Sequence, residues 1–117
     1  MLEKTNRVNL LFDFYGPILK DRQRQFLEMY YREDLTLSEI AEVMEVTRQA
    51  VYDQVKRTEI VLEQYEDKLQ LLSRYQERQS RINRLLDLLD SDPPEWDSEN
   101  IRTLVKELAE LEWSEEA

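Results

Sequence analysis

Between Arg48 and Arg57 the chain reads Arg-Gln-Ala-Val-Tyr-Asp-Gln-Val-Lys-Arg, and in a helix Arg48, Gln49, Tyr52, Lys56 and Arg57 fall outside the apolar Val51 and Val55. Guanidinium and ammonium groups pair with phosphate oxygens. Arginine or glutamine can also bond two atoms of a guanine or adenine edge at once. The chemistry these five residues offer is recognition of DNA, or of another partner that presents similar groups. A second set, Arg74, Arg78, Arg81 and Arg84, lines one face of a later helix as a basic ridge. That ridge suits RNA phosphates or an acidic partner, or pairing with Glu77, Asp87 and the acids of the last helix.

The residues catalysis needs are scarce. The chain has no His and no Cys, and its single Gly is Gly16. A thiol nucleophile, an imidazole base, thiolate or imidazole metal ligands and a glycine-rich phosphate loop are therefore all excluded. Neighbouring acids such as Asp87 with Asp90, or Glu95 with Asp97, arise by chance among 26 carboxylates and mark solvated surface. We expect a protein that is not an enzyme and needs no metal or cofactor. The formal charge of -10 repels phosphate backbones at long range. Asp53 and Glu59 are expected to add negative charge on or near the groove-facing side of the helix that opens at Arg48.

The elements that position these residues can be read outward from Thr36. Thr36 and Glu39 have the spacing of a capping box, and Leu35 with Ile40 that of a hydrophobic staple. Leu37, Ile40, Ala41 and Met44 then form one apolar stripe. Thr47 can cap a second helix beginning at Arg48, where Val46 and Val51 repeat the staple spacing. Two such helices with a short turn between them are a helix-turn-helix over residues 36–57, with small Ala41 allowing a close crossing. Glu45 stands where such turns usually carry glycine, and a left-handed glutamate costs about 1 kcal/mol.

Upstream, Val8, Leu11, Phe12 and Tyr15 predict a helix over 5–15 that Gly16-Pro17 stops. Leu19, Phe26, Leu27, Tyr30 and Tyr31 predict another over 21–32, capped by Asp21. Downstream, no breaker intervenes from Arg48 to about Leu89. The stripe Leu62, Tyr65, Leu69, Leu72 gives way to an offset register at Ile82, Leu85 and Leu89, which predicts a break near 72–76. Pro93-Pro94 mark a linker at 90–97, and Asp97 or Ser98 caps a last helix over 98–112 carrying Ile101, Leu104, Leu108 and Leu111.

The resulting expectation is an all-α fold, a helix-turn-helix bundle over 1–72 with a long helical C-terminal extension over 73–117. The first part carries 10 Lys/Arg against 14 Asp/Glu and the second 6 against 12. The stripes Leu62/Leu69/Leu72, Ile82/Leu85/Leu89 and Ile101/Leu104/Leu108/Leu111 exceed what a short tail hides within itself. They are candidates for the seam of a homodimer, with Trp96 and Trp113 as packing anchors beside it. The N-terminal residues lack the basic-then-apolar order of a signal peptide and no apolar run is long enough to span a bilayer, so we expect a cytoplasmic protein without membrane insertion.

Three segments also carry a family resemblance: Asn9-Leu10-Leu11-Phe12-Asp13-Phe14-Tyr15-Gly16, the run from Met29 to Ala41, and Val46-Thr47-Arg48-Gln49-Ala50-Val51-Tyr52-Asp53. Together they resemble the YlxM family of small bacterial proteins over about residues 5–90, with the tail after Asp90 outside the similarity. The middle segment alone resembles sigma-factor region four, a helix-turn-helix that reads promoter DNA. The YlxM resemblance implies a regulator of the signal recognition particle pathway, acting on its GTPases or their expression, with components of that particle, protein or RNA, as partners. It implies no catalytic residue.

Overall fold

The computed structural model describes residues 2–91 and 97–112, without the side chains of Leu2 and Glu3, and every regular element among them is helical. The fold is all-α. The linker residues Pro93 and Pro94, and the expected anchors Trp96 and Trp113, lie outside the described residues.

Helix α1, Leu2–Tyr15, ends in a 3₁₀ turn at Gly16–Ile18, where Pro17 cannot donate to the helix ladder. Gly16 is needed for space: a Cβ there would lie 3.3 Å from the Phe12 ring. Helix α2 spans Asp21–Leu27. Its N-cap is Lys20 and not the expected Asp21, and the Lys20 amide donates to Gln23 Oε1 at 3.2 Å. Asp21 is the first helical residue and pairs with Arg24 instead. The helix expected over 21–32 stays α only to Leu27, then widens into a π turn at Glu28–Arg32, with Asp34 left-handed at φ 55°. Helices α3, Leu37–Met44, and α4, Arg48–Leu69, follow. Helix α5 is Leu71–Asp90 and α6 is Ser98–Glu112.

The break between α4 and α5 is a single left-handed residue, Gln70 at φ 55°. It falls ahead of the expected 72–76 and divides the stripe that ran from Leu62 to Leu72, so these leucines do not form one continuous seam. Leu62 belongs to α4 and Leu72 to α5, on either side of the break. The chain separates into two compact units with the boundary between Lys68 and Leu69.

In the first unit Val8, Leu11, Phe12 and Tyr15 of α1, Leu19, Phe26 and Leu27 around α2, Ile40 of α3, and Val51, Val55 and Leu62 of α4 are all buried. Each such aliphatic or aromatic side chain contributes about 1.5–3 kcal/mol on removal from water. The second unit is an antiparallel hairpin of α5 and α6. Its register is set by Arg81 Nε on Glu107 at 3.0 Å and Arg78 Nε on Glu112 at 3.7 Å. Among the described residues of this unit only Leu72 and Leu104 are buried apolar side chains.

Candidate nucleic-acid interface

The unit at residues 36–57 is built from local bonds. The Thr36 amide donates to Glu39 Oε1 at 2.8 Å and the Glu39 amide to Thr36 Oγ1 at 3.1 Å, closing the capping box at the start of α3. Hydrogen bonding to the Thr36 backbone amide, and then to the Thr36 side chain, holds the Glu39 carboxyl below its ordinary range. At the other end Glu45 adopts φ 57°, ψ 44°, and the Val46 amide reaches back to the Ala41 carbonyl at 3.0 Å. Thr47 Oγ1 accepts the Ala50 amide at 3.0 Å and starts α4. Ile40, Val51 and Val55 lie buried beneath the unit, with Ala41 half-buried beside them.

Helix α4 therefore turns Val51, Val55, Thr58 and Leu62 inward and presents the opposite side to solvent. Arg48, Gln49, Tyr52 and Arg57 are exposed, and Lys56 and Asp53 half-exposed. Gln49 Nε2 donates to Asp53 Oδ1 at 3.0 Å, which leaves the side-chain carbonyl and the second N–H of the amide outside that bond. That amide keeps one donor and one acceptor side by side, the pair an adenine edge requires. Lys56 lies 5.5 Å from the centre of the Tyr52 ring and 3.7 Å from Glu59. Arg48 and Arg57 have no ion pair among the described residues. By contrast Arg7 is held by Glu63, Arg24 by Asp21, Arg32 by Asp13 and Lys4 by Glu59.

Glu59 corrects the sequence expectation, because it is buried and does not face the groove side. Its carboxylate accepts the Tyr31 hydroxyl at 2.7 Å and lies 3.5 Å from Lys4 Nζ. One turn plus three residues on, buried Glu66 accepts the Tyr15 hydroxyl at 2.6 Å, with the Tyr15 ring stacked obliquely on Tyr65 at 5.9 Å. Burial first, and then the bond to Glu59, raises the Tyr31 hydroxyl well above the ordinary phenol range. Arg7, bonded to Glu63 through two nitrogens at 2.6 and 2.9 Å, holds that carboxyl below its ordinary range. These tyrosine–glutamate pairs escaped the reading of the sequence. A signal for them was present: Glu59 and Glu66 occupy the inward stripe Val51–Val55–Thr58–Leu62 of α4, where a carboxylate needs a buried donor.

The basic ridge turns toward α6. Arg81 bonds Glu77 of its own helix and Glu107 of α6, Arg78 pairs with Glu112, and one Arg74 nitrogen is buried without a hydrogen-bond partner. Arg84 lines a small groove with Leu88, Asn100, Thr103 and Leu104. Arg78 and Arg81 thus act within the hairpin and are not laid open for an RNA backbone. The structure also does not bring all of the expected seam residues into one surface. Leu62, Leu72 and Leu104 are buried within the chain; Leu85, Ile101, Leu108 and Leu111 are half-buried; Leu69, Ile82 and Leu89 are exposed.

Among the described residues no cluster of three acids could hold a metal ion, and no helix is long and apolar enough to cross a membrane. The profile of the family described as "Putative helix-turn-helix protein, YlxM / p13 like", UPF0122, matches residues 2–105. A UPF0122 protein of Bacillus mycoides (strain KBAB4) is 49% identical over 112 residues, 96% of this chain and 100% of the relative. One from Bacillus thuringiensis (strain Al Hakam) is 48% identical over the same length. The family match continues past Asp90 into α6, beyond the limit expected from the sequence motifs. The motifs ended there because evenly spaced leucines on a polar helix form no distinctive run.

Proposed function

The chain belongs to the UPF0122 family of YlxM / p13-like helix-turn-helix proteins, and from that premise we propose that it is a regulator that binds nucleic acid through the outer face of α4. The observation that carries this reading is the contrast among the cations of the first unit. Five of the ten, Lys4, Arg7, Arg24, Arg32 and Lys56, are paired with carboxylates of the same unit, whereas Arg48 and Arg57 stand exposed at either end of the first turns of α4 without an ion pair among the described residues. Arg48 at the helix start reaches phosphate or a guanine edge, Gln49 held by Asp53 reads an adenine edge, and Lys56 and Arg57 follow the backbone. DNA is the ligand that fits a helix presented this way, because the major groove admits it.

We further propose, from what the YlxM resemblance implies, that the chain acts in the signal recognition particle pathway, controlling the particle's components or their expression. Its RNA and protein components are therefore the second set of ligands to present. Fluorescence anisotropy with mixed-sequence duplex DNA at rising salt tests the reading. With Arg48, Lys56 and Arg57 each neutralising a phosphate, log affinity falls with log salt at a slope of about -3, and Arg48→Ala with Arg57→Ala reduces that slope to about -1. Absence of salt-sensitive duplex binding, with particle RNA or protein retained equally well by the double variant, would overturn it.

A further inference from the structure

The second unit leaves an apolar face uncovered. On α5, Ile82, Leu86 and Leu89 are 36%, 51% and 51% exposed and share one side of the helix at spacings of four and three. Leu89 lines an apolar groove with Ile101, Val105, Ser98, Arg102 and Lys106, so the α6 side chains continue the same face, and Val105 is itself 51% exposed. Leu104, which lies off this face, is already buried in the hairpin.

The edges of that face carry opposite charge. Arg102 and Lys106, one turn apart, rim the groove on the α6 side. On α5, Asp90 stands one turn beyond Leu86 at the edge of the face, on the side away from α6. Among the described residues none of these three has an ion pair, although Arg78 and Arg81 in the same hairpin are engaged with α6 acids. An acidic rim, an apolar strip and a basic rim together are complementary to the same surface turned over.

We infer that this face is the docking site for a second copy of the chain. A two-fold axis parallel to the helices stacks α5 of each copy on α6 of the other, so that all four neighbouring helices run antiparallel around one core. The axis preserves height along the helices. The register fixed by Arg81–Glu107 and Arg78–Glu112 puts Asp90 within about one turn of Arg102 in height. Asp90 of one copy then meets Arg102 of the other at both edges, while Ile82, Leu86, Leu89, Ile101 and Val105 close the centre. Like-charged rims would face each other if α5 stacked on α5, which selects this arrangement. The inference uses the second unit alone and stands or falls independently of nucleic-acid binding.

Sedimentation velocity on the full chain tests it. The unmodified protein is expected to run at twice its 14.2 kDa chain mass at micromolar concentration. Leu86→Asp and Val105→Asp, at exposed positions outside the hairpin core, are expected to raise the dimer dissociation constant by about thirtyfold or more with unchanged far-ultraviolet circular dichroism. Reversing the acidic edge (Asp90→Lys) or the basic edge (Arg102→Glu) is expected to weaken it about tenfold, and reversing both together to restore it. A monomer at every concentration, including one whose patch captures a different protein, overturns the inference. So does a dimer indifferent to Leu86→Asp, or a doubly reversed protein no tighter than the single reversals.

Discussion

The two units of this molecule solve the burial problem differently. In the first, four helices and the intervening turns enclose Leu11, Tyr15, Leu27, Ile40, Val51 and Leu62 almost completely, and the carboxylates that enter the core come with tyrosine hydroxyls to meet them. In the second, two helices cover one side of each other and leave Leu86, Leu89 and Val105 half in water. Two helices have one mutual interface, so a helix with apolar residues over more than that width needs a third surface. The first unit is thus a closed domain whose exposed residues are free for a ligand. On the proposed self-association the second is half of a bundle, and its free surface is structural.

The largest expected break in that contrast comes from truncating the same residue type in each unit. Leu27→Ala, fully buried in the first unit, is expected to cost about 2–5 kcal/mol in urea unfolding followed by circular dichroism. Leu86→Ala, half-exposed, is expected to leave the unfolding of the isolated chain within about 0.5 kcal/mol and to act on association instead. Equal losses at the two positions would show that the second unit is as closed as the first.

The buried tyrosine–glutamate pairs of the first unit sharpen the comparison next. Glu59→Ala strands the Tyr31 hydroxyl and is expected to cost about 1–3 kcal/mol. The pH dependence follows with opposite signs at the two ends. Tyr31 has its folded pKa raised, so its contribution is complete below the unfolded phenol value near 10 and is lost as pH rises toward the folded value. Glu63, lowered by Arg7, contributes fully above the unfolded carboxyl value of about 4.3, and that contribution disappears as pH falls through its folded pKa. Unfolding midpoints measured from pH 3 to 11 should fall at both extremes, and Tyr31→Phe should flatten the alkaline side alone.

How much of this was legible in the sequence depended on how local the cause was. The capping box of Thr36 with Glu39 and the cap by Thr47 involve residues three apart, and the structure has both bonds as the spacing required. The stop at Gly16-Pro17 was equally plain. Gln70 was not, since glutamine is a good helix former and its residue type does not mark a left-handed turn. The π turn at Glu28–Arg32 likewise has no residue-type signature. In the candidate site, the exposed set on α4 followed from periodicity. The turning inward of Glu59 depended on Tyr31, 28 residues away, and the engagement of Arg81 on Glu107, 26 residues away.

A smaller effect separates cap chemistry in the two units. Thr36→Ala and Thr47→Ala each remove an acceptor from a helix start and are expected to cost about 1 kcal/mol in the unfolding of the first unit. Helix α6 depends on Asp97, whose Oδ1 accepts the Asn100 amide at 2.7 Å. Asp97→Ala is expected to cost a similar amount locally, seen as faster amide exchange in α6 with the first unit unchanged. Propagation of the Asp97 effect into α3 or α4 would make the two units one cooperative body.

The smallest effect concerns Glu45, and its sign is a contest between two states of the chain. In the folded protein Glu45 holds φ 57°, which costs a side chain with a Cβ about 1–2 kcal/mol and glycine almost nothing. In the unfolded chain glycine gains conformational freedom that folding must remove, about 0.4–1 kcal/mol against the substitution. Glu45 also brings a carboxylate to an exposed turn already flanked by Glu42, so its removal relieves like-charge repulsion close to Arg48. Glu45→Gly is therefore expected to stabilise the first unit by a few tenths to about 1 kcal/mol. If α4 meets nucleic acid, the loss of one negative charge beside Arg48 also tightens binding. Stabilisation without tighter binding would place the ligand away from the turn, and destabilisation would mean that the Glu45 side chain contributes more to the turn than its backbone strain removes.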